Sequence, residues 1–309
     1  MNTILLGDSS LRASRLAYGC WRIADTEEAG RTIGRNAILA AYEAGYTLFD
    51  HADIYCAGRA EKAFGDVLRE VSGMRERVCI ATKCGIRLAG EPLLEAPVRY
   101  DFSAAHITWS CEQSLRRLGV ETIDLYQLHR PDWLMNPQEV AVAFTQLRQQ
   151  GKVREFGVSN FRPSQLTALQ RALAFPLITN QVEISLANLN CFTDGTLDQC
   201  LAEHITPMAW SPLAGGLLAE GARRLLPSQE GYRVERIVVE LDLMARARGA
   251  ATRGSLALAW LLKHPAGIVP IVGSTKPEKI RDAVNALRFE FTREEWYRLL
   301  ELARGERLP

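Results

Sequence analysis

The chain has 309 residues, 47 % of them apolar and 24 % charged, with a formal net charge of +1. That is the composition of a globular chain able to bury a large core. The balanced charge gives no electrostatic case for a nucleic acid or an anionic membrane as partner. The length fits one α/β barrel of roughly 250 residues plus insertions, although length alone also allows two ordinary domains. The seven cysteines form no C-x-x-C pair, and no His/Cys cluster has zinc-ligand spacing, so free thiols in a reducing compartment and no metal are expected. The first residues lack the basic segment and apolar stretch of a signal peptide. No run of about 18 apolar residues is present to span a bilayer. The expectation is a cytoplasmic protein whose oligomeric state is not legible.

In chain order, residues 3–6 and 11–15 predict a small hairpin. Short β-rich runs then alternate with helical patterns. Strands are expected over 16–20, 46–49, 78–83, 123–128, 153–158, 178–182, 205–209 and 268–272. Helices are expected over 34–44, 59–70, 103–118, 137–150, 163–172, 194–203, 234–247 with 253–264, and 277–286, and residues 292–303 predict an extra C-terminal helix. Ser103 is placed to cap one helix, and Gly45, Gly119 and Gly151 to end others. Pro137, Pro163 and Pro277 stand near helix starts, where a missing N–H costs little. Strict alternation implies a parallel sheet, and eight units favour a closed (β/α)₈ barrel over an open doubly wound sheet. No repeat, low-complexity segment or linker interrupts the chain, so residues 1–309 are expected to form one domain. The longer connections 85–102 and 211–232 follow strands and belong at the strand C-terminal end, where barrel sites are built.

Polar residues recur at those strand ends: Asp50, Lys83, His129, then Ser159-Asn160, Asn180-Gln181 with Glu183, and Trp210-Ser211. Taken singly, each has an ordinary role as a cap, a packed aromatic or a snorkelling cation. Converging on one mouth, the ionisable groups form a coherent set for carbonyl reduction. An alkoxide developing under hydride attack needs a proton. Tyr55, with an ordinary pKa of about 10, can supply it if a cation stabilises its phenolate. Lys83 is that cation, Asp50 its partner, and His129 a donor to the carbonyl oxygen. No G-x-S-x-G elbow marks a serine hydrolase.

No G-x-G-x-x-G follows the first strand, which disfavours a Rossmann nucleotide site. Ser159, Asn160 and Gln181 suit a carboxamide, and Trp210 offers a face for stacking. The turn from Gly273 to Lys279 combines a strand end, small polar residues and cations ahead of a helix, a good phosphate position.

These residues resemble the aldo-keto reductase superfamily over nearly the whole chain, from Leu16 to about Ala286. Phe49-Asp50-His51-Ala52-Asp53-Ile54-Tyr55 is similar to the family's D-x-A-x-x-Y segment, and Gly157-Val158-Ser159-Asn160-Phe161 to its G-x-S-N-F. Asn180-Gln181-Val182-Glu183 and Ala209-Trp210-Ser211-Pro212-Leu213 also match. The resemblance implies a (β/α)₈ fold, a tetrad of Asp50, Tyr55, Lys83 and His129, and NADPH bound extended. It places Ser159, Asn160 and Gln181 on the carboxamide and Trp210 against the nicotinamide. Ser211, Leu213 and Gly215 would lie along the pyrophosphate. Gly273, Ser274, Thr275 and Lys279 would surround the 2′-phosphate, with Asp282 toward the adenine. The chain departs from the pattern at His51 (commonly Thr or Ser), Cys56 (commonly Gly), Lys279 (often Arg or Gln) and Ala283 (often Asn).

The expected activity is reduction of a small aldehyde or ketone. Trp21, His51, Tyr100, Trp133 and Trp210 suggest a partly aromatic pocket. Two other readings stay open: a nicotinamide-binding regulatory subunit, and a barrel isomerase or lyase with Glu183 as its base.

Overall fold

Eight short parallel strands, hydrogen-bonded in sequence order, close into a barrel. They are β1 (Ala17–Gly19), β2 (Leu48–Asp50), β3 (Cys79–Cys84), β4 (Ile123–Leu128), β5 (Val153–Ser159), β6 (Leu177–Glu183), β7 (Thr206–Trp210) and β8 (Val269–Val272). The computed structural model describes residues 1–24, 28–220, 225–249 and 251–309. Around the barrel stand α1 (Glu28–Glu43), α2 (Arg59–Glu70), α3 (Ala104–Leu118), α4 (Pro137–Gln149), α5 (Pro163–Gln170), α6 (Thr196–Ala202), the pair α7 (Glu235–Ala247) and α8 (Arg253–Leu262), and α9 (Pro277–Ala283). The expected (β/α)₈ architecture is what the chain adopts. Among the described residues no helix is long and apolar enough to cross a membrane. Among the described residues no disulfide joins any of the seven cysteines.

The two-residue period of a strand separates two cores. Tyr18, Phe49, Ile80 and Tyr126 face outward into the helix layer. Ala17, Leu48, Cys79, Ala81, Leu125, Met208, Val269 and Ile271 face inward. The inner cluster is completed by the N-terminal hairpin, Thr3–Leu5 against Arg12–Ser14, whose Leu6, Leu11 and Ala13 plug the strand N-terminal end. Two contacts fix it there: Gly7 N–H donates to Thr206 Oγ1 at 2.7 Å, and Cys79 Sγ donates to the Arg12 carbonyl at 3.3 Å. Gly7 has φ +55°, and a Cβ there would stand 2.6 Å from the Ile178 carbonyl oxygen, so only glycine lets the plug sit this close. At the other end of the chain, α10 (Arg293–Arg304) is the expected extra helix. Trp296 on it stacks on Trp260 of α8 at 4.8 Å. Each indole N–H donates to the other residue's carbonyl at 3.0 Å.

Three departures from expectation are informative. Helix α1 begins at Glu28 rather than Gly34. Gly34 is a close-approach residue inside the helix, because a Cβ there would lie 1.9 Å from the Ile23 carbonyl oxygen. Strand β2 runs on through Asp50, which places that carboxylate in the ladder rather than after it. The connection 85–102 contains an antiparallel pair, Ile86–Arg87 with Arg99–Tyr100, that alternation over two residues cannot signal. Of the expected connection 211–232, residues 221–224 lie outside the described residues.

Leu6 is 0 % exposed within the inner cluster, so Leu6→Ala leaves a cavity under the barrel. A loss of about 2–5 kcal/mol is expected from the urea midpoint at unchanged m-value; a midpoint equal to wild type would show that the hairpin does not support the barrel.

Candidate active site

Along each inner row the side chains change from apolar to polar toward the strand C-terminus. Asp50 follows Leu48 by two residues, Lys83 follows Ala81, and His129 follows Leu125 and Gln127, so each inherits the inward direction. Strand β6 reaches the same result differently. A register irregularity between Leu177 and Asn180 breaks the alternation after Ile178. Thr179 then bonds Gln127 across the barrel at 3.1 Å, and Gln181 points at Asp50.

Four groups meet at the mouth. Lys83 Nζ donates to Asp50 Oδ2 at 2.8 Å, to the His51 carbonyl at 2.7 Å and to Tyr55 OH at 3.1 Å. Its side chain is 0 % exposed. Gln181 Nε2 donates to the other Asp50 oxygen at 2.7 Å, so the carboxylate is held at both ends. The His129 ring stands edge-on to Tyr55 with centroids 5.8 Å apart.

Burial works against the Lys83 ammonium, but the charge of Asp50, then Tyr55 and the hydrogen bonds to both, outweigh it and its pKa rises. Burial also pushes the Tyr55 phenol up, and Lys83 pulls it part of the way back. Burial, then the charges of Lys83 and Arg130, hold His129 well below the usual imidazole range. At neutral pH the site therefore presents a protonated phenol, a charged amine and a neutral imidazole.

A second hydrogen-bonded layer begins at β5. Gly157 lies against Thr179, where a Cβ would meet Oγ1 at 2.0 Å, and this close approach sets β5 on β6. Ser159 Oγ then donates to the Gln181 carbonyl at 2.8 Å. Asn160 takes up φ +62°, a left-handed conformation that Asn tolerates. From there its Nδ2 reaches the His129 carbonyl at 3.1 Å and Ser159 Oγ at 2.9 Å, while its Oδ1 accepts from Trp210 Nε1 at 3.0 Å.

These groups open into one elongated cavity of about 790 Å³. Every residue expected to contact the cofactor lines it: Ser159, Asn160, Gln181, Trp210, Ser211, Leu213 and Gly215 on one side, and Gly273, Ser274, Thr275, Lys279 and Asp282 on the other. Lys279 is engaged there by Glu220 at 2.5 Å, and Asp282 by the Thr252 hydroxyl at 2.7 Å. A family model for the aldo/keto reductase family matches residues 15–304. The chain belongs to the aldo-keto reductase family. This aldo-keto reductase is 43 % identical to the 6-dehydroglucose reductase of Novosphingobium aromaticivorans, over 98 % of this chain and 96 % of that protein. It is 40 % identical to the 6-dehydroglucose reductase of Agrobacterium fabrum, over 99 % of each chain. Among solved structures, the glycerol dehydrogenase of Gluconobacter oxydans matches with TM-score 0.85 at 28 % identity, covering 99 % of this chain and 97 % of that one.

Of the residues expected to form an aromatic pocket, Trp21 and Trp210 line the cavity and three do not. His51 is fully buried with its ring 4.6 Å from that of Phe64, and neither ring nitrogen has a hydrogen-bond partner among the described residues. Tyr100 lies on the small antiparallel pair, outside the cavity. Trp133 is 83 % exposed. His51 and Trp133 stand close in sequence to Asp50 and His129, but packing turns them elsewhere. Glu183 is also placed apart from the chemistry. It accepts from Gln229 at 2.7 Å and Tyr232 at 2.9 Å, anchoring the end of the long β7 connection rather than serving as a base. Cys56, where the family commonly has Gly, takes φ +52° and is followed by Ala57 at +54°; this left-handed turn explains the usual glycine. Sequence reasoning missed Ile54, Ile86, Arg130, Arg253 and Lys276, which also line the cavity. Arg130 and Lys276 were findable as direct neighbours of named site residues. Arg253, at the start of α8, is brought in only by packing.

His51 makes stability depend on acid. Burial, then the charge of Lys83, lowers its pKa to about 3, against about 6.5 in an unfolded chain. Its stabilising contribution is complete above the unfolded value and is lost as pH falls below it, because only the unfolded chain takes up the proton. His51→Met should therefore give a shallower fall in Tm between pH 6.5 and pH 4; an identical pH profile would show that another group controls the acid limb.

Proposed function

We propose that the protein reduces a small aldehyde or ketone with NADPH as the hydride source and Tyr55 as the proton donor. The observation that carries this is the single Lys83 ammonium bonded to both Asp50 and Tyr55. A phenol in an apolar site is a weak acid. Beside a fixed ammonium its anion is stabilised, so the proton can leave Tyr55 OH for the developing alkoxide. Asp50, itself held by Gln181, keeps Lys83 charged and oriented. His129, neutral and edge-on to Tyr55, is placed to donate an N–H to the carbonyl oxygen and align it.

The lining fits a nicotinamide dinucleotide. Gln181 Nε2 keeps one N–H beyond its bond to Asp50, and Ser159 and Asn160 stand beside it for a carboxamide. Trp210 offers an aromatic wall. Lys276 and Lys279 at the far end supply positive charge for a 2′-phosphate, as point charges rather than bidentate forks. When bound, NADPH would supply the hydride, and the walls from Trp210 to Asp282 would hold it. The relatives named for 6-dehydroglucose and glycerol make hydroxylated carbonyl compounds the first substrates to assay.

Tyr55→Phe keeps the ring and removes the proton. Turnover should fall by about 10²–10⁴-fold while NADPH affinity, read by fluorescence titration, barely moves. Near-parent turnover with a good substrate would remove Tyr55 from the donor role. Lys279→Ala should narrow the preference for NADPH over NADH by about 10- to 100-fold in the ratio of Kd values, the scale of one charge-assisted contact. Equal affinity for both cofactors in the parent would refute the assignment of the 273–279 turn.

A further inference from the structure

The cavity carries cations along its whole length, and they differ in what neutralises them. Arg253 forks onto Asp242 with bonds of 2.9 and 2.7 Å. Lys279 is paired with Glu220. At the reacting end the situation changes. Arg130 follows His129 directly, lines the cavity half-buried, and has no carboxylate at ion-pairing distance among the described residues. Its neighbours' acids are taken: Asp50 by Lys83 and Gln181, and Asp132 by the backbone N–H groups of Phe102 and Leu134, both at 2.9 Å. What holds the guanidinium in place is the Trp210 ring, 5.5 Å from its carbon to the ring centroid. Its charge already reaches His129, whose pKa it helps to lower.

A planar guanidinium, fixed over an aromatic face and lacking a counter-charge, presents its N–H fork to whatever fills the space beside Tyr55 and His129. That fork matches two oxygen acceptors a short distance apart. Leaving it unpaired in a partly desolvated site has a cost that an oxygen-bearing ligand removes.

Resting on the carbonyl-reductase reading above, we infer that Arg130 is a specificity-determining residue that selects carbonyl substrates carrying paired oxygen acceptors next to the reacting carbon, as a carboxylate or as vicinal hydroxyls. The walls at this end, Trp21, Ile54 and Ile86, are apolar, and the neighbouring cation Arg22 lies over the Trp21 ring, 5.2 Å from its carbon to the ring centroid.

The test compares the parent, Arg130→Met and Arg130→Lys on butanal, succinic semialdehyde and glyceraldehyde with NADPH. The expected result is a fall of about 10- to 100-fold in kcat/KM for an oxygenated aldehyde relative to butanal in Arg130→Met. A fall for succinic semialdehyde alone, partly restored by Arg130→Lys, identifies a carboxylate. A fall for glyceraldehyde as well, not restored by Lys, identifies hydroxyls, since these need the fork. Unchanged ratios in variants that keep the parent Tm and bind NADPH overturn the inference and leave the reductase reading standing. A parent that reduces none of the three fails the reductase reading instead. The inference is then decided by tryptophan-fluorescence titration with 4-hydroxybutyrate and glycerol: weaker binding of either to Arg130→Met supports it, and equal binding of both refutes it.

Discussion

The ion pair of Lys83 and Asp50 is the interaction on which the mouth of the barrel depends. Both side chains are removed from water, and a buried pair of this kind adds little net stability because desolvation consumes the Coulomb attraction. Its consequence is electrostatic. It lets an ammonium remain charged where burial alone would neutralise it, and that fixed charge acts on every neighbour. Tyr55 is drawn back toward its ordinary acidity, while His51 and His129 are kept neutral first by burial and then by this charge. Breaking one member would leave the other charge uncompensated, which is why the pair is bonded on all sides: by Gln181, by the His51 carbonyl and by Tyr55.

The barrel makes such a pair possible by dividing its interior. The strand N-terminal end is filled with small and branched apolar side chains and closed by the hairpin. The other end is left open to polar groups and a cavity. Because the strands are short, only one or two inward residues, such as Leu48 before Asp50 and Cys79 and Ala81 before Lys83, separate the plug from the site. The hairpin and the active site are therefore two ends of one packed column, and the rigidity of the lower end positions the charges of the upper.

The cavity walls divide in the same way along their length. Around Tyr55, Lys83 and Asp50 are locked to each other, whereas Arg130 has no carboxylate at ion-pairing distance among the described residues. Toward Lys279 and Asp282 the side chains are engaged with partners, Glu220 and Thr252, that flank the same opening. The loop that supplies Glu220 is tied back at its end through Gln229 and Tyr232 to Glu183 on β6. One side of the cavity is thus tied to the barrel by a half-buried carboxylate.

Much of this was determined by the sequence alone. The two-residue period carried Leu48 to Asp50 and Ala81 to Lys83, so the inward direction of the pair was readable before any contact was known. The eight-fold alternation of strand and helix dictated a closed parallel barrel, because eight crossover units bury both faces of one sheet. The resemblance of Gly157-Val158-Ser159-Asn160-Phe161 to a family motif marked the second layer, while the close approach of Gly157 to Thr179 came from the tertiary structure. Tertiary structure alone decided the rest. Gln181 reaches Asp50 through a register irregularity that no local pattern announces. His51 and Trp133, adjacent in sequence to site residues, are turned into the helix layer and out to solvent by packing around them. Arg253 and Glu220 come to the cavity from elements far along the chain. Local periodicity states which way a side chain leaves its own strand; whether it meets a ligand depends on how distant segments close the space in front of it.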